Sequence, residues 1–599
     1  MSRLAAALAA LLLLPLAARA QGDKKDELDP RTKAAIDRAV EKAKEDLRDE
    51  VRQEMQGAQS AAEFIGATAE GPKLQFLEMS GYFRVRAQLF NELDLGIGRD
   101  ASTPVGRYVF PVPFDQPNGA GNRHTLSTTN MRLRLEPTMN VSEHVRVRAQ
   151  FDVLDNKVLG SSSSSLFDGG SSYPATFFGS SRVAATSSNQ EDRPLISQKR
   201  VWGEVQTPVG LLSFGRMPSE WGLGIMANAG AGLDEDFGDT VDRIQFALPP
   251  VSTPIGRLVF VPILDFDNAG VLYRQAYAAS GTGQLFDAES GDNGRTYGLK
   301  IARIDTPDEI RRKLERSESS LNYGAYYNYR QQRYTYPDWN TAGFDASYAS
   351  TDQNVSSIHR AAYAHVLDVW FRWLSARWRV EAELSGVYGS VGNADGGASM
   401  PKLMLRQWGG ALVTEYKAVP NKLMIGWEVG AASGDDAPGF GNVPSYGPQP
   451  YGSFEGQQWC VQNTTTCLQT DRSIRNFRFN PAYRVDLVLF HQLLGGVTDA
   501  LYVKPKLRWD LFPGLGLDVS LMYARAMEKG STPSVTATGA GGASDLGLEL
   551  DTQLTFTATD GFRAWAQWGA LQPFHGLSTQ TGGDGARAHV VAAGIAAKF

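Results

Sequence analysis

Cysteine and histidine are both scarce in this chain, and the shortage narrows the chemistry that it can carry. Its 599 residues include two cysteines and seven histidines, and these are scattered without the spacing of a metal site. The motifs of a hydrolase nucleophile elbow, a zinc-protease helix and a phosphate-binding glycine loop are absent from the sequence too. The sequence therefore predicts no enzyme and no bound cofactor.

The two cysteines, Cys460 and Cys467, lie in the longest of several segments rich in Gly, Ser, Pro and Asn. In an exported protein such a close pair predicts a local disulfide that stiffens an exterior loop. Free thiols are the alternative that the sequence leaves open.

Long apolar runs are missing after the amino terminus. The chain begins with Arg3, an apolar run from Leu4 to Leu16 and the small-x-small sequence Ala18-Arg19-Ala20. This pattern predicts a secretory signal peptide over residues 1–20, because the run is too short to span a membrane. No later segment approaches the roughly 18 apolar residues of a membrane-spanning helix, so a helical membrane protein is not expected.

Residues 21–60 contain a helical pattern found nowhere else in the chain. Apolar residues recur at spacings of four and three from Ile36 to Met55, among interleaved acids and bases. The pattern predicts an amphipathic helix with a narrow apolar stripe, followed by a linker over residues 61–79. Such a stripe suits a coiled coil, which would make the helix a periplasmic contact of a homo-oligomer. A solvated helical spacer without a partner is the open alternative.

Apolar and polar residues alternate with a period of two, and this pattern is clearest over residues 130–154. Apolar residues of the run 131–139 alternate with polar ones that include Arg132 and Arg134, and the run 145–153 repeats the pattern. Successive side chains of a β-strand point to opposite faces. With the polar connection 140–143 between them, the two runs predict an antiparallel hairpin.

The same alternation recurs along residues 80–599 in pieces of about 9–13 residues, the length with which a tilted strand crosses a bilayer. Weaker pieces lie near Leu211, Val241, Leu258, Tyr297, Leu321 and His359. We expect about 18 strands, within a range of 16 to 20. The clear pieces are Gly81–Phe90, Ser197–Gln206, Arg377–Tyr388, Leu403–Tyr416, Asn421–Ala432, Tyr483–Phe490, Leu501–Leu511, Leu515–Ala526, Leu546–Phe556, Phe562–Ala570 and Ala588–Phe599.

A closed barrel is the architecture that best accommodates so many strands in one unit. A soluble sandwich would show the same alternation in any single strand, but closure removes the exposed sheet edges. Aromatic residues near strand ends predict the girdles of a lipid-facing band. We therefore predict an all-β, antiparallel transmembrane barrel over residues 80–599 in the bacterial outer membrane, in contact with lipid and with its helix in the periplasm. The girdle residues are Tyr82, Trp202, Trp378, Trp408, Trp427, Trp565 and Trp568.

The last strand ends in Phe599, which shares a face with Ala597 and Ile595, while Lys598 lies on the other face. This ending resembles the carboxy-terminal strand of bacterial outer-membrane β-barrels, which their assembly machinery reads. The resemblance implies that Phe599 is part of an assembly signal and that this machinery is a partner. Ala597 stands where such strands usually carry another aromatic residue.

The connections between strands are unequal, with some of a few residues and others long, as expected for a barrel whose turns face the periplasm and whose loops face outward. The stretch 214–246 is the most distinctive connection, because acidic residues crowd within it. It predicts either a constriction folded into the barrel, a calcium site built from Asp234, Asp236 and Asp239, or a solvated acidic loop. The spacing matches no EF-hand, which favours the solvated loop.

Basic residues dominate the polar face of the strands. They predict a lumen that attracts anions, although pairing with acids across strands to brace a wide barrel is the alternative explanation. The basic set is Arg84, Arg86, Arg132, Arg134, Arg146, Arg148, Arg200, Arg243, Arg377, Arg379, Lys504, Lys506 and Arg508, and its acidic companions are Glu136, Asp152, Glu204, Glu381, Glu383 and Asp510.

Together, the signal peptide, charged helix, arginine-rich strands and terminal Phe resemble porin-type proteins. The phosphate-selective porins, which also carry an amino-terminal coiled coil, and the alginate-export barrels are similar in architecture. The motif from Gly215 to Gly230, GRMPSEWGLGIMANAG, also resembles an uncharacterised outer-membrane family of myxobacteria. The resemblance transfers no substrate and no functional residue. Together with the basic lumen it leads to the prediction of a passive channel for hydrophilic, preferably anionic solutes, with no nucleic-acid partner. Polysaccharide export and a plugged structural or adhesive barrel are the alternatives.

Overall fold

A computed structural model describes residues 76–95, 124–159, 196–268, 293–335, 358–392, 402–435, 473–532, 542–578 and 585–599. The predicted signal peptide, the amphipathic helix with its role in oligomerisation, and the Cys460–Cys467 disulfide all lie outside these residues. The first strand begins at Leu77, within the stretch predicted as linker.

The described residues form twenty strands and one α-helix, α1 (Pro307–Glu315). The strands are β1 (Leu77–Asn91), β2 (Thr125–Asn140), β3 (Val145–Val158), β4 (Ile196–Thr207), β5 (Gly210–Pro218), β6 (Thr240–Ala247), β7 (Val251–Thr253), β8 (Gly256–Asn268), β9 (Gly294–Arg303), β10 (Ser320–Thr335), β11 (Ile358–Leu374), β12 (Trp378–Val391), β13 (Leu403–Val419), β14 (Leu423–Ala432), β15 (Ser473–Ile474), β16 (Ala500–Phe512), β17 (Leu515–Ala526), β18 (Asp545–Thr557), β19 (Phe562–Pro573) and β20 (Ala588–Lys598). Among these described residues, no helix is long and apolar enough to cross a membrane.

The strands close into a single antiparallel barrel. Two of the twenty, β7 and β15, are short additions, which leaves the 18 barrel strands that the sequence predicts. β1 pairs with β20 from Tyr82 opposite Lys598 to Asn91 opposite His589. The pairing continues into the last residue, since the Gly81 N–H donates to the Phe599 oxygen at 3.0 Å and the Phe599 N–H to the Gly81 oxygen at 3.1 Å. Each described strand of the barrel is therefore paired on both sides, so this part of the sheet presents no free edge.

The two faces of the barrel differ as the alternation predicts. On β1 the Phe83 side chain is 41% exposed, whereas its neighbour Arg84 is 0% exposed. On β12 Leu384 is 59% exposed and the adjacent Glu383 is buried. The apolar side chains therefore form the outer surface and the charged ones face the lumen, which is the inverse of a water-soluble sandwich.

The predicted aromatic girdle is only partly confirmed. Trp378, Trp408, Trp427 and Trp568 are exposed on the outer face. The prediction is wrong for Tyr82, Trp202 and Trp565, which share parity with inward polar residues and face the lumen. Tyr82 and Trp565 are buried, and the Trp202 Nε1 donates to Glu204 at 2.9 Å.

The two ends of the barrel have connections of different length. Tight turns join β2 to β3, β4 to β5, β13 to β14 and β16 to β17, and the described chain starts and finishes at this same end. The predicted hairpin turn is confirmed, because β2 ends at Asn140 and β3 starts at Val145. Apart from the β9–β10 connection, which includes α1 and lies at the end of the tight turns, the long connections lie at the other end, as in barrels with short periplasmic turns and long outer loops.

One predicted strand, Tyr483–Phe490, is wrong. These residues lie in the connection between β15 and β16, and Leu489–Leu494 form a π-helical turn. Val485, Leu487, Val488, Leu489 and Phe490 are buried, and Asp486 is buried among them. Because apolar residues of both parities are buried, the segment has no lipid-facing side, and it packs inside the barrel instead of joining the wall.

The lipid-facing surface gives a depth-dependent prediction for stability. Leu384 lies at the middle of β12 on the outer face, so Leu384→Arg places a charge near the bilayer centre and is expected to lower the free energy of unfolding by about 2–4 kcal/mol. Trp378→Arg, at the strand end, is the control and is expected to cost no more than about 1 kcal/mol. Equilibrium unfolding in lipid vesicles measures both, and equal costs would contradict a lipid-facing band.

Candidate functional site

Two connections fold into the barrel and occupy its lumen. Inner segment 1 (residues 219–239) links β5 to β6, and inner segment 2 (residues 475–499) links β15 to β16. Each reaches strands remote from its own ends. The Trp221 Nε1 donates to Asp368 of β11 at 2.9 Å, and the Leu489 N–H donates to Glu549 of β18 at 2.8 Å. Of the three possibilities for the acidic stretch, the structure therefore has the inward-folded one.

One end of inner segment 1 is anchored on β11 and β12. The indole of Trp221 packs against Tyr326 and Trp370, with ring centroids 5.7 and 6.2 Å apart. The Glu383 carboxylate accepts the Gly224 N–H at 2.9 Å and the Met226 N–H at 3.4 Å. Glu383, expected as a counter-charge to the arginines, thus holds the backbone of the segment against the wall.

The acidic end of inner segment 1 meets arginines, and its carboxylates are not solvated independently. Arg86 donates to Asp234 at 3.0 Å and to Asp236 at 2.7 Å, so one guanidinium bridges two carboxylates. Arg484 of inner segment 2 donates to the other oxygen of Asp234 at 2.7 Å. Arg132 contributes a longer contact to Asp236 at 3.4 Å. Charge-assisted pairs of this kind are among the stronger hydrogen bonds of a protein.

Arginines also bind the backbone of this acidic end. Arg84 donates to the Leu233 carbonyl at 2.9 Å, and Arg132 donates to the Glu235 carbonyl at 2.7 Å. The side chains of Arg84 and Arg132 are almost completely buried. The basic wall and the acidic connection therefore form one contact surface, which we call the arginine cluster (Arg84, Arg86, Arg132 and Arg484).

A narrow neck separates the acidic tip from the rest of inner segment 1. The Asp239 N–H donates to the Asn228 carbonyl at 2.7 Å. A Cβ at Gly230, where φ is +64°, would lie 1.8 Å from the Phe237 oxygen, and one at Gly238 would lie 2.3 Å from the Ala229 oxygen. Only glycine fits such an approach. Residues 230–238 beyond this neck form a distinct unit, the acidic lobe.

The acidic lobe has one apolar contact with the wall. Leu233 is 9% exposed and packs with Tyr82, Trp565 and Ala596 in a small cluster. The remaining contacts of the lobe with the wall described above are ion pairs and hydrogen bonds.

The carboxyl groups of the lobe have different proton affinities. Burial raises the pKa of Glu235 to about 7, and the nearby charges of Asp234 and Asp236 add to the rise. Burial acts in the same direction on Asp236, but the adjacent Arg86 and Arg84 guanidiniums outweigh it and lower the pKa of Asp236 to about 2. Asp236 therefore stays charged at any physiological pH, while Glu235 exchanges its proton near neutrality.

Inner segment 2 is held by a wall carboxylate and by an apolar core. Glu549 accepts the N–H groups of Leu487, Val488 and Leu489 at 3.0, 2.7 and 2.8 Å. These residues join a cluster that includes Phe90 and apolar residues of β13, β14 and β16–β20. The lumen is thus filled by an apolar core on this side, which a sequence pattern of alternating strands does not reveal.

The two inner segments also bind each other. The Asn480 N–H donates to the Ile225 carbonyl at 2.7 Å, and its side-chain amide donates to Asp239 at 2.6 Å. With the Arg484–Asp234 pair, these contacts make a single partition across the lumen.

The predicted basic residues divide into two groups by their partners. Some bind the inner segments: Arg84, Arg86, Arg132, Arg200 and Lys504. Others pair with acids on the barrel wall: Arg134 with Asp152, Arg146 and Arg148 with Glu204, Arg243 with Asp265, Arg379 with Glu381, Lys506 with Glu415, and Arg508 with Asp510. The bracing role considered in the sequence analysis therefore accounts for the second group. Arg377 lies exposed in the turn before β12, so its prediction as a lumen residue is wrong.

The calcium alternative gains no support from the carboxylates predicted for it. Asp234 and Asp236 accept from guanidiniums, and Asp239 accepts from the Asn228 N–H at 3.0 Å and from Asn480. A different group escaped the sequence analysis, because its members are far apart in the chain. The His124 Nδ1 lies 3.2 Å from Glu92 and 3.0 Å from Asp94, a set that has the ligand types of a metal site.

Two of the cavities lined by described residues lie beside the partition. One of about 450 Å³ is bordered by β1–β6, β9 and the end of β20, and it contains Arg146, Arg148, Trp202 and Ser213. The other, of about 430 Å³, lies against β16–β19 and contains Arg484, Lys504 and Trp565. Leu233 of the acidic lobe borders both. The tip of inner segment 1 therefore stands between two spaces in the lumen.

No protein-family model and no curated protein matches this chain. Solved structures with a similar fold include OccK11 (OpdR) of Pseudomonas aeruginosa, with 10% identity and a TM-score of 0.40 over 87% of this chain and 96% of that one. OccAB4 of Acinetobacter baumannii has 11% identity and a TM-score of 0.39 over 88% of this chain and 100% of that one. The outer-membrane channel DcaP of the same species has 10% identity and a TM-score of 0.35 over 87% of this chain and 97% of that one.

These scores are too low to support an inference, and the class of the protein follows from its own strand pairing and outer surface. The chain is a closed antiparallel β-barrel of 18 strands with an apolar outer surface and a charged inner one. In this barrel the acidic connection and its arginines occupy the lumen.

Replacing Glu549 tests whether its carboxylate holds the backbone of inner segment 2 against the barrel wall. In Glu549→Ala three N–H groups lose their acceptor, so we expect hydrogen exchange at Leu487, Val488 and Leu489 to accelerate by about tenfold or more. Glu549→Gln keeps one acceptor oxygen and is expected to have a smaller effect. Exchange measured by mass spectrometry on the detergent-purified protein reports both, with β11 and β12 as internal references. Unchanged exchange in Glu549→Ala would show that the apolar core alone holds the segment.

Proposed function

We propose that the protein is a channel for hydrophilic solutes with a preference for anions. The observation that carries the proposal is the charge of the larger cavity. Its lining includes six basic side chains, Arg146, Arg148, Arg200, Arg243, Lys300 and Lys598, against three acidic ones, Glu136, Glu204 and Glu220. A basic space of this kind concentrates anions by its electrostatic potential.

The smaller cavity has no such excess. Arg484, Lys504, Lys506, Arg508 and Arg563 face five acids, Asp234, Glu235, Asp486, Asp518 and Asp551. Anion preference is therefore expected to originate on the side of the barrel formed by the early strands, where the larger cavity lies.

A second candidate is a plugged barrel that acts through its outer loops. The observation that favours it is the partition across the lumen, with the apolar core on inner segment 2 and Leu233 between Tyr82 and Trp565. Polysaccharide export, the other alternative, needs a passage wide enough for a polymer chain, and the partition gives it no specific support.

Ion selectivity in planar bilayers separates the channel from the plugged barrel. Under a potassium chloride gradient the purified full-length protein is expected to give a reversal potential of anion-selective sign. Neutralising two cavity residues in Arg146→Gln/Arg148→Gln leaves Glu204 unopposed, so the chloride-to-potassium permeability ratio is expected to fall by about threefold or more.

Arg311→Gln/Arg312→Gln is the matched control, because these exposed arginines lie on α1, outside the barrel strands. The control is expected to keep the wild-type ratio. Absence of current through correctly folded protein would favour the plugged barrel, and an equal shift in both variants would remove the cavity as the source of selectivity.

A further inference from the structure

We infer that the arginine cluster is a binding site for anions that carry two carboxylate groups, and that the acidic lobe occupies this site as a built-in competitor. The inference rests on the proposed channel function and specifies its solute. A dicarboxylate that passes through the barrel takes the place of Asp234 and Asp236, and the lobe moves aside while it is bound.

The first support is the way in which the lobe presents its charges. Asp234 and Asp236 are separated by one residue, and both bind the same guanidinium of Arg86, at 3.0 and 2.7 Å. Arg484 and Arg132 bind the outer sides of the two carboxylates at 2.7 and 3.4 Å. The cluster is therefore built to hold two carboxylates at once, and a free dicarboxylate offers the same pair of groups.

The second support is binding capacity that the lobe leaves unused. The Nε groups of Arg84 and Arg86 are buried and have no hydrogen-bond partner among the described residues. The four guanidiniums of the cluster contact four carboxylates, Asp152, Asp155, Asp234 and Asp236. Two of these carboxylates are shared with cations outside the cluster, since Asp152 also pairs with Arg134 and Asp155 with Lys199. Buried charge without full pairing is costly, so the cluster retains affinity for a further anion.

The third support is the separate attachment of the lobe. The neck at Gly230 and Gly238 lies between the lobe and the residues anchored on β11 and β12. Leu233 is the one apolar side chain of the lobe that is buried against the wall, and Phe237 is 54% exposed. The lobe is held mainly by the guanidinium donors that a dicarboxylate would engage, so exchange of the lobe for such a solute leaves these buried charges paired. A movement confined to residues 230–238 would leave the Gly224 and Met226 anchors in place.

The fourth support is access. Asp234, Glu235 and Arg484 all border the cavity of about 430 Å³. A solute in that cavity meets Arg484 directly, without passing through the apolar core of inner segment 2. Arg84, Arg86 and Arg132 are not in the lining of the cavity, so the solute reaches them once the lobe moves aside. The site thus lies on the surface of a space that holds water-sized and larger molecules.

Succinate, a dicarboxylate, and acetate, a monocarboxylate, serve as probes in single-channel recordings at constant ionic strength. In wild-type full-length protein, succinate is expected to modulate the chloride current with a half-saturating concentration well below that of acetate. In Asp234→Asn/Asp236→Asn the acidic lobe no longer carries the two charges that compete with succinate for the arginine cluster. The protein with an unoccupied cluster then becomes the dominant state, so the half-saturating concentration of succinate is expected to fall by about tenfold.

Two further variants complete the design. Asp308→Asn makes the same chemical change at an exposed position of α1, 71% exposed at its side chain, and is expected to match the wild type. Arg86→Gln removes the bridging guanidinium and is expected to abolish the difference between succinate and acetate. If the double variant does not assemble, Asp236→Asn alone is measured in the same recordings. A smaller fall in the half-saturating concentration of succinate is then expected.

The outcomes distinguish this inference from the channel proposal itself. An anion-selective wild type whose succinate response is unchanged in the lobe variant overturns the inference and leaves the channel standing. A folded wild type and a folded lobe variant that both carry no anion current overturn both. A response to acetate equal to that to succinate rejects the two-carboxylate site.

Discussion

Closure of the sheet is the constraint on which the other features of this protein depend. In a bilayer every backbone N–H and C=O group of a spanning strand needs a partner inside the protein, and the pairing of β1 with β20 supplies the last row of them. Closure also fixes the two faces. Once the first and last strands meet, the apolar parity of each strand faces lipid and the charged parity is enclosed.

Enclosure changes the energetics of the charged residues. An arginine on an open sheet keeps its water, whereas Arg84, Arg132 and Arg243 are buried and require partners at hydrogen-bond distance. The chain supplies these partners from two sources, the neighbouring strands and the two inner segments. The same physical need, pairing of enclosed guanidiniums, therefore explains both the bracing pairs of the wall and the capture of the acidic lobe.

The alternation of single strands was sufficient to predict the class of fold and the strand number. The same alternation also excludes Tyr82, Trp202 and Trp565 from the outer aromatic girdle, because these three residues share parity with residues that face the lumen. Tyr483–Phe490 alternates in part as a strand does, with Arg484 and Asp486 on one parity. Only the tertiary structure, in which Val485 and Val488 are both buried, shows that this segment packs within the barrel.

The sequence by itself determined which residues face lipid and which face the lumen, because the two-residue period of a strand assigns every side chain to one face. It also predicted an excess of basic over acidic residues on the inner face. The tertiary structure decided which charges are free to attract a solute. Asp234 and Arg86 are about 150 positions apart in the chain, and only the curvature of the closed barrel and the inward fold of inner segment 1 bring them into contact.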